Sequence, residues 1–241
     1  MPATSSSTGA IRSIKTTSLG RLRCQSEVVR AGPDLTEAAA GILLRSLAER
    51  LRDKPRVSLA LSGGRTPWPV LRSLARADLE WKRVDIYQVD ERVAPDGDPA
   101  RNLTGLTSAL LDHVPAIVYP MPVEGPDLEA TADRYAAELP EVLDVVHLGL
   151  GDDGHTASLV PSDPVLDITN QRVAVTQPYQ GHRRMTLTFP AFERVGSILW
   201  IVAGADKTSM LERLLAADPT IPAGRVPQER AVLITDGVLG S

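Results

Sequence analysis

The chain has 241 residues, of which 43% are hydrophobic and 23% are charged, so it can bury one sizeable core. Its formal net charge of −4 and its aromatic content of 4% argue against nucleic acid as a partner, because phosphate backbones attract basic surfaces and single strands stack on aromatic rings. No uninterrupted apolar stretch approaches the roughly 20 residues of a membrane span, so no membrane partner is expected.

The N-terminal part of the sequence is rich in serine and threonine and has no apolar signal core. We expect residues 1–18 to form a flexible segment and residues 19–241 to form a single domain. Cys24 is the only cysteine, which excludes an intrachain disulfide and a thiolate metal cluster and favours a cytoplasmic location. A monomer or a small homo-oligomer is expected.

Strand-like and helix-like segments alternate along the chain. Apolar residues at helical spacing predict helices at residues 34–52, 67–75, 100–111, 127–139 and 206–217. Short apolar runs predict strands at residues 57–61, 84–89, 117–119, 145–148, 173–176, 185–189, 198–203 and 231–235. The alternation indicates an α/β fold with a doubly wound, mostly parallel, Rossmann-like sheet and helices on both faces. Little helix separates residues 173–176 from 185–189, which predicts a small antiparallel β excursion.

A turn with two glycines joins the first predicted strand to the second helix, and its residues are Ser62, Gly63, Gly64, Arg65 and Thr66. Glycines let backbone N–H groups approach an anion, and the following helix N-terminus favours negative charge, so the turn is a candidate phosphate cradle. On the glycine pair alone an ordinary tight turn is an equal alternative, but the hydroxyls and Arg65 favour phosphate. The segment also lies one residue from the nucleophile elbow, in which Ser62 would be a catalytic nucleophile.

The triplet Asp90, Glu91 and Arg92 follows the strand at residues 84–89 and is expected at the same edge of the sheet. A solvated loop is the ordinary interpretation of such a triplet. Arg92 offers a bidentate contact to an anion, and Asn102 follows at the start of the next helix, and these two features weaken the preference for a solvated loop.

The most informative segment is the glycine turn that follows the apolar strand ending at Leu148. Ligands collect outside the carboxyl ends of parallel strands, so this turn presents titratable groups to a site. His155 lies two residues after Asp153, whose carboxylate would fix the imidazole tautomer, and we favour His155 as a general base. The alternative is that both acids cap a helix at Thr156, which is the role expected for Asp152. A metal site is not expected, because the further ligands of a zinc site are missing.

Two cationic residues lie next to later strands. Arg184 precedes the strand at residues 185–189, and Lys207 falls in the first turn of the helix at residues 206–217. Exposure to solvent is the ordinary fate of such side chains. A cation in a first turn opposes the helix macrodipole, so Lys207 suggests a compensating ligand charge.

Four ordered motifs resemble the 6-phosphogluconolactonase family over residues 57–235. They are Ser62-Gly63-Gly64-Arg65-Thr66-Pro67, Asp90-Glu91-Arg92-Val93, the run from Gly149 to Ser158, and Gly204-Ala205-Asp206-Lys207, with Arg184-Met185-Thr186-Leu187-Thr188 in addition. The resemblance implies hydrolysis of 6-phospho-D-glucono-1,5-lactone to 6-phospho-D-gluconate in the oxidative pentose phosphate pathway, without a metal or an organic cofactor. The implied partner is a small-molecule sugar-phosphate lactone.

The resemblance and the residues together suggest one mechanism. His155, oriented by Asp153, activates water for attack on the lactone carbonyl. Residues 62–66, Arg184 and Lys207 hold the phosphate. Asp90 and Arg92 position the sugar ring or assist charge stabilisation.

Two other functions stay open. One is a sugar-phosphate isomerase or deaminase of the same fold, which is similar to glucosamine-6-phosphate deaminase. The glutamate that such deaminases carry shortly after the histidine motif is absent here, where the sequence is Leu159-Val160-Pro161. The other is a non-catalytic regulator that binds sugar phosphates.

Overall fold

The computed structural model describes residues 27–237. Within that range the strands are β1 (Glu27–Arg30), β2 (Val57–Leu61), β3 (Val84–Gln88), β4 (Asp90–Arg92), β5 (Ile117–Tyr119), β6 (Leu143–Leu148), β7 (Val173–Val175), β8 (Arg184–Leu187), β9 (Val195–Val202) and β10 (Ala231–Thr235). The helices are α1 (Leu35–Asp53), α2 (Pro67–Leu74), α3 (Asn102–Ala109), α4 (Leu128–Glu138), α5 (Phe189–Phe192) and α6 (Thr208–Leu215). The predicted flexible segment, residues 1–18, and Cys24 lie outside the described residues.

Seven strands form one sheet in the order β1-β10-β9-β6-β2-β3-β5, and every neighbouring pair is parallel. The central strand β2 is buried along its whole length, as expected for a parallel strand covered on both faces. Because side chains alternate across a strand, β9 places Leu199 and Ile201 on one face and Trp200 and Val202 on the other.

Two hydrophobic cores therefore cover the two faces of this sheet. The first lies under α1, α2 and α3, where α1 contributes Leu43, Leu47 and Leu51 at four-residue spacing. The second lies under α4, α5 and α6 and includes Tyr135 and Leu211. The predicted doubly wound, mostly parallel α/β fold is confirmed.

The remaining strands form a second sheet in the order β4-β8-β7, and both of its pairs are antiparallel. This sheet is the predicted antiparallel excursion. It packs on the second core through Val173 and Met185. Because β4 ends at Arg92 and β8 begins at Arg184, it also fixes two of the predicted site residues opposite each other.

The structure corrects several details of the sequence prediction. The edge strand β1 and the short strand β4 were not predicted; β4 is made of charged residues, which no apolar pattern marks. Phe189 begins the short helix α5 instead of ending a strand, because Pro190 follows it at a helix start. No helix begins at Thr156, where the chain forms turns, so the capping role expected for Asp152 is wrong. Among the described residues, no helix is long and apolar enough to cross a membrane.

Candidate active site

A cleft of about 220 Å³ opens at the carboxyl ends of the central strands. The segments that follow β2, β3, β6 and β9 all contribute to it, as expected for an open α/β sheet. The predicted residues that line it are Ser62, Gly63, Gly64, Arg65, Thr66, Asp90, Arg92, His155, Arg184 and Lys207. Asp153 is the exception, because it does not line the cleft itself but is bonded to His155, which does. The fold thus brings all the predicted site residues together.

The turn after β2 passes close to the start of α3. A Cβ atom on Gly63 would lie 2.0 Å from Asn102 Oδ1, so this approach requires glycine. Gly64 has a φ of +128°, which a residue with a side chain rarely adopts. The backbone N–H of Ser62 donates to Nδ1 of the buried His147 at 3.3 Å. Among the described residues, the Ser62 hydroxyl is not paired with a histidine, which does not support the nucleophile elbow.

The turn after β6 holds the imidazole of His155 in a fixed place. Nδ1 of His155 lies 2.6 Å from Oδ1 of Asp153, and the His155 backbone N–H donates to the same oxygen at 3.0 Å. A Cβ atom on Gly151 would lie 2.1 Å from Nδ1, so the ring rests directly on a glycine. With Nδ1 donating to the carboxylate, Nε2 is the ring nitrogen left to accept a proton.

The charge of Asp153 is maintained by its hydrogen bonds. Its partial burial alone would raise the pKa of this carboxyl. The His155 backbone N–H and side chain, together with the Tyr179 hydroxyl, outweigh that effect and lower the pKa below its usual value. Asp153 therefore stays ionised and can orient His155 over the whole neutral range.

The three charged residues after β3 have different contacts and different roles. Glu91 is fully buried and accepts hydrogen bonds from the backbone N–H groups of Asn102 and Leu103 at 2.7 and 2.8 Å. These groups begin α3 and have no partner within the helix, so Glu91 caps α3. Arg92 instead donates to Ala100 O at 2.6 Å and to Asn102 Oδ1 at 3.2 Å at the cleft wall.

Asp90 lies on the floor of the cleft and is only 5% exposed. It accepts hydrogen bonds from Ser158 Oγ at 2.7 Å and Asn102 Nδ2 at 3.2 Å. Burial raises its pKa, and the Ser158 bond and the charge of Arg184 act in the opposite direction. Asp90 thus places a buried carboxylate beside the arginines.

The two later cations approach the cleft from different elements. Arg184 is 4% exposed, and its Nε atom is buried without a hydrogen-bond partner among the described residues. Lys207 ends a short 3₁₀ helix, Ala205–Lys207, and is the residue before α6, so it precedes the first helical turn in which it was predicted. Its Nζ atom lies 3.9 Å from Asp152 Oδ1 and 3.7 Å from Asp206 Oδ2.

Tyr179 is a site residue that the sequence analysis missed. Its hydroxyl donates to Asp153 Oδ2 at 3.2 Å, and its ring meets the ring of His155 edge to face with centroids 5.8 Å apart. It lies at the start of a hairpin turn whose central residues, Gln180 and Gly181, both have positive φ. The Gln-Gly pair signals a turn, but nothing in it indicates which residue the turn would meet.

One group of side chains in this region offers donor atoms of the kind that bind metals. Ligand atoms of Asp152, Asp153 and His155 lie within 4.8 Å of one another. Two of these groups already bind each other through Asp153 Oδ1 and His155 Nδ1. A cation would have to break that contact or bind through the remaining atoms.

The fold and the cleft define an α/β protein in which a histidine and aspartate pair faces a cationic pocket. A family model described as glucosamine-6-phosphate isomerases/6-phosphogluconolactonase matches residues 31–235. The chain belongs to this family, so the family resemblance predicted from the sequence is confirmed.

Individual relatives agree with this assignment. The chain is similar to a 6-phosphogluconolactonase of Synechocystis, with 34% identity over 215 residues that cover 83% of this chain and 89% of the relative. It is also 34% identical over 238 residues to the GDH/6PGL endoplasmic bifunctional protein of Oryctolagus cuniculus, covering 92% of this chain and 29% of that protein. The crystal structure of a 6-phosphogluconolactonase from Thermotoga maritima matches with a TM-score of 0.80 and 25% identity, covering 86% of this chain and 98% of that one.

Proposed function

We propose that the chain has 6-phosphogluconolactonase activity and hydrolyses 6-phospho-D-glucono-1,5-lactone to 6-phospho-D-gluconate in the oxidative pentose phosphate pathway. The observation that carries the proposal is the 2.6 Å contact between Asp153 Oδ1 and His155 Nδ1 at the wall of the cationic cleft. The family and its lactonase members support the same activity.

The proposed chemistry uses His155 as a general base. Nε2 removes a proton from water while the water oxygen bonds to the lactone carbonyl carbon. Backbone N–H groups or a neighbouring cation stabilise the negative charge that forms on the carbonyl oxygen. The bond between that carbon and the ring oxygen then breaks, and the proton on Nε2 passes to the ring oxygen. No covalent bond to the protein forms.

The proposed binding mode uses the cations of the cleft. The turn at residues 62–66 meets the phosphate together with Arg184 and Lys207, all of which line the same pocket. The unpartnered Nε of Arg184 supports this role, because a buried donor gains most from a charged ligand. Asp90 balances the charge of Arg184 and, with Arg92, positions the sugar ring or assists charge stabilisation.

The deaminase alternative is not favoured by the residues around His155. The positions after the histidine motif are Leu159 and Val160, both buried, where a deaminase of this fold would carry a glutamate. A non-catalytic regulator that binds sugar phosphates would use the same cleft but would need no general base. The oriented Asp153 and His155 pair argues for turnover.

An assay of lactone hydrolysis, corrected for the spontaneous opening of the lactone in buffer, tests the proposal. The wild-type chain should exceed the spontaneous rate, and His155→Ala should reduce turnover by about 10² to 10⁴. The exposed His113 provides a matched control, so His113→Ala should keep wild-type turnover. His155→Ala should still bind 6-phosphogluconate, seen as a rise in Tm. Near-normal turnover in His155→Ala would contradict the proposed base, and a Tm rise without wild-type turnover would favour the regulator.

The proposal also includes expectations about domain organisation, cellular location and oligomeric state. One domain over residues 19–241 is supported by the single seven-stranded sheet that both cores share. A cytoplasmic location rests on the single cysteine, although one relative is named an endoplasmic protein. A monomer or small homo-oligomer is the expected state, and light scattering of the purified chain measures it.

A further inference from the structure

We propose that Tyr179 is a positioning residue that couples the general base to the cationic side of the cleft; this inference rests on the proposed function. The β7 to β8 hairpin carries Tyr179 over the site from the small antiparallel sheet. Its hydroxyl and ring contact the Asp153 and His155 pair, and the same ring contacts the guanidinium of Arg184. Tyr179 thus touches both functional halves of the site at once.

The contact on the base side is a hydrogen bond to a charged acceptor. Asp153 uses Oδ1 for His155 and Oδ2 for the Tyr179 hydroxyl, at 2.6 and 3.2 Å. The carboxylate is therefore held at both oxygens and cannot rotate without losing one of them. Burial and the charge of Asp153 raise the pKa of Tyr179, so the hydroxyl keeps its proton and remains a donor.

The contact on the cationic side is made by the ring and the backbone of the same residue. The Arg184 guanidinium carbon lies 5.1 Å from the Tyr179 ring centroid, within the range of a cation–π interaction. Arg184 Nη2 also lies 3.5 Å from the Tyr179 carbonyl oxygen and 3.4 Å from Gln180 Oε1. The hairpin thus restricts the guanidinium while its Nε atom stays without a protein partner.

Backbone hydrogen bonds hold the shape of this hairpin turn. The backbone N–H of Tyr179 donates to His182 O at 2.9 Å, and the His182 N–H donates back at 3.3 Å. Gln180 and Gly181 have φ of 50° and 86°, which match the tight turns that connect twisted strands. His182 also contacts Val93 O through Nδ1 at 3.4 Å, which ties the hairpin to the segment after β4.

The two contacts can be removed separately, which makes the proposal testable by steady-state kinetics. Tyr179→Phe removes the hydroxyl and keeps the ring, so kcat should fall about three- to tenfold while KM stays unchanged. Tyr179→Leu removes both, so KM should also rise about threefold. Gln177→Ala changes an exposed side chain of the same loop and should behave as wild type.

A double-mutant cycle separates positioning from a general structural role. In the Asp153→Asn background, Tyr179→Phe should cause no further loss of kcat, because the hydroxyl acts through that carboxylate. Additive losses of kcat in the double mutant, or a wild-type kcat in Tyr179→Phe, would overturn the proposal for Tyr179. The proposed lactonase function would still stand if His155→Ala were inactive. A wild-type chain without lactonase activity would overturn both. If Tyr179→Leu fails to fold, the Phe variant alone decides the hydroxyl role.

Discussion

The turn after β6 and the segment after β3 lie on either side of β2, and both bring carboxylates to the cleft. Their surroundings differ. The side chains of Asp153 and His155 are 35% and 23% exposed, so water and substrate can reach them. Glu91 is fully buried and Asp90 is 5% exposed. A similar pattern, acids shortly after an apolar strand, thus gives an accessible aspartate and histidine pair in one place and a buried pair of acids in the other.

The hydrogen bonds explain why the two pairs suit different tasks. Asp153 binds Nδ1 of His155, whose imidazole lines the cleft, and this arrangement suits proton transfer. Glu91 accepts from three backbone N–H groups and from Gln88 Nε2, which leaves no free position for a substrate. Substitutions after β6 should therefore change turnover more than stability, and substitutions at Glu91 should do the reverse.

Glu91→Gln should give the largest effect. The NH₂ group of the new amide would face a backbone N–H group at the start of α3, so two donors would meet. The change would also leave Arg101, 3.5 Å from Glu91, without its buried ion pair. Breaking a buried pair typically costs about 3 to 5 kcal/mol. Urea unfolding measures this loss of stability.

The control for this experiment uses a second carboxylate on the same arginine. Glu124 lies 3.7 Å from Arg101 but has a side chain that is 56% exposed. Glu124→Gln should therefore cost less than about 1 kcal/mol. Equal losses of unfolding free energy in the two variants would show that burial does not make Glu91 more important for stability than Glu124.

His147 tests whether burial, and not nearness to the β6 turn, decides the role of a titratable group. It lies in β6 just before the turn, and burial lowers its pKa from 6.5 to about 4. Between these values the unfolded chain binds more protons, so the free energy of unfolding should fall as the pH drops from 6.5 to 4. At about 1.4 kcal/mol per pKa unit the loss approaches about 3 kcal/mol.

A variant of His147 identifies the source of that loss. His147→Asn offers an amide oxygen to the Ser62 N–H and cannot titrate, so its unfolding free energy should depend less on pH over this range. His113→Asn changes an exposed histidine and should keep the wild-type slope. Equal slopes in all three proteins would show that His147 does not carry the effect.

The sequence predicts the sheet and the location of the site because both depend on local patterns. Apolar runs mark the central strands, and glycines with acids mark the turn that holds His155. The same patterns do not predict which of the acidic side chains are buried. Glu91 carries the same charge as Asp90, and only the packing of α3 against β4 makes it a helix cap.

Contacts between distant segments explain the other omissions. Tyr179 meets Asp153 across 26 residues of sequence, and Ser158 meets Asp90 across 68. The small sheet that brings them together includes β4, whose three charged residues carry no apolar signal. A pattern of single residues cannot predict such pairs, because their register is set by tertiary packing.

Asp153→Asn should reduce kcat about 10- to 100-fold, since it removes the orienting charge but keeps the base. Stability should change by less than about 1 kcal/mol, because this carboxylate is partly exposed. The neighbouring Asp152 has a side chain that is 76% exposed and is not hydrogen-bonded to His155, so it offers a matched comparison. Asp152→Asn should change kcat less than about threefold. Similar losses of kcat in both variants would contradict the assignment of Asp153 as the orienting group.

Lys207→Ala gives the smallest expected effect and separates binding from turnover within the accessible region. Its side chain is 20% exposed, and its ion pairs with Asp152 and Asp206 are long, at 3.9 and 3.7 Å, so it remains able to meet an anion. A phosphate far from the carbonyl contributes the same binding to the ground state and the transition state. KM should therefore rise about tenfold with kcat nearly unchanged. Lys82→Ala, at an exposed lysine, should leave both constants at wild-type values, and an unchanged KM in Lys207→Ala would remove Lys207 from the phosphate site.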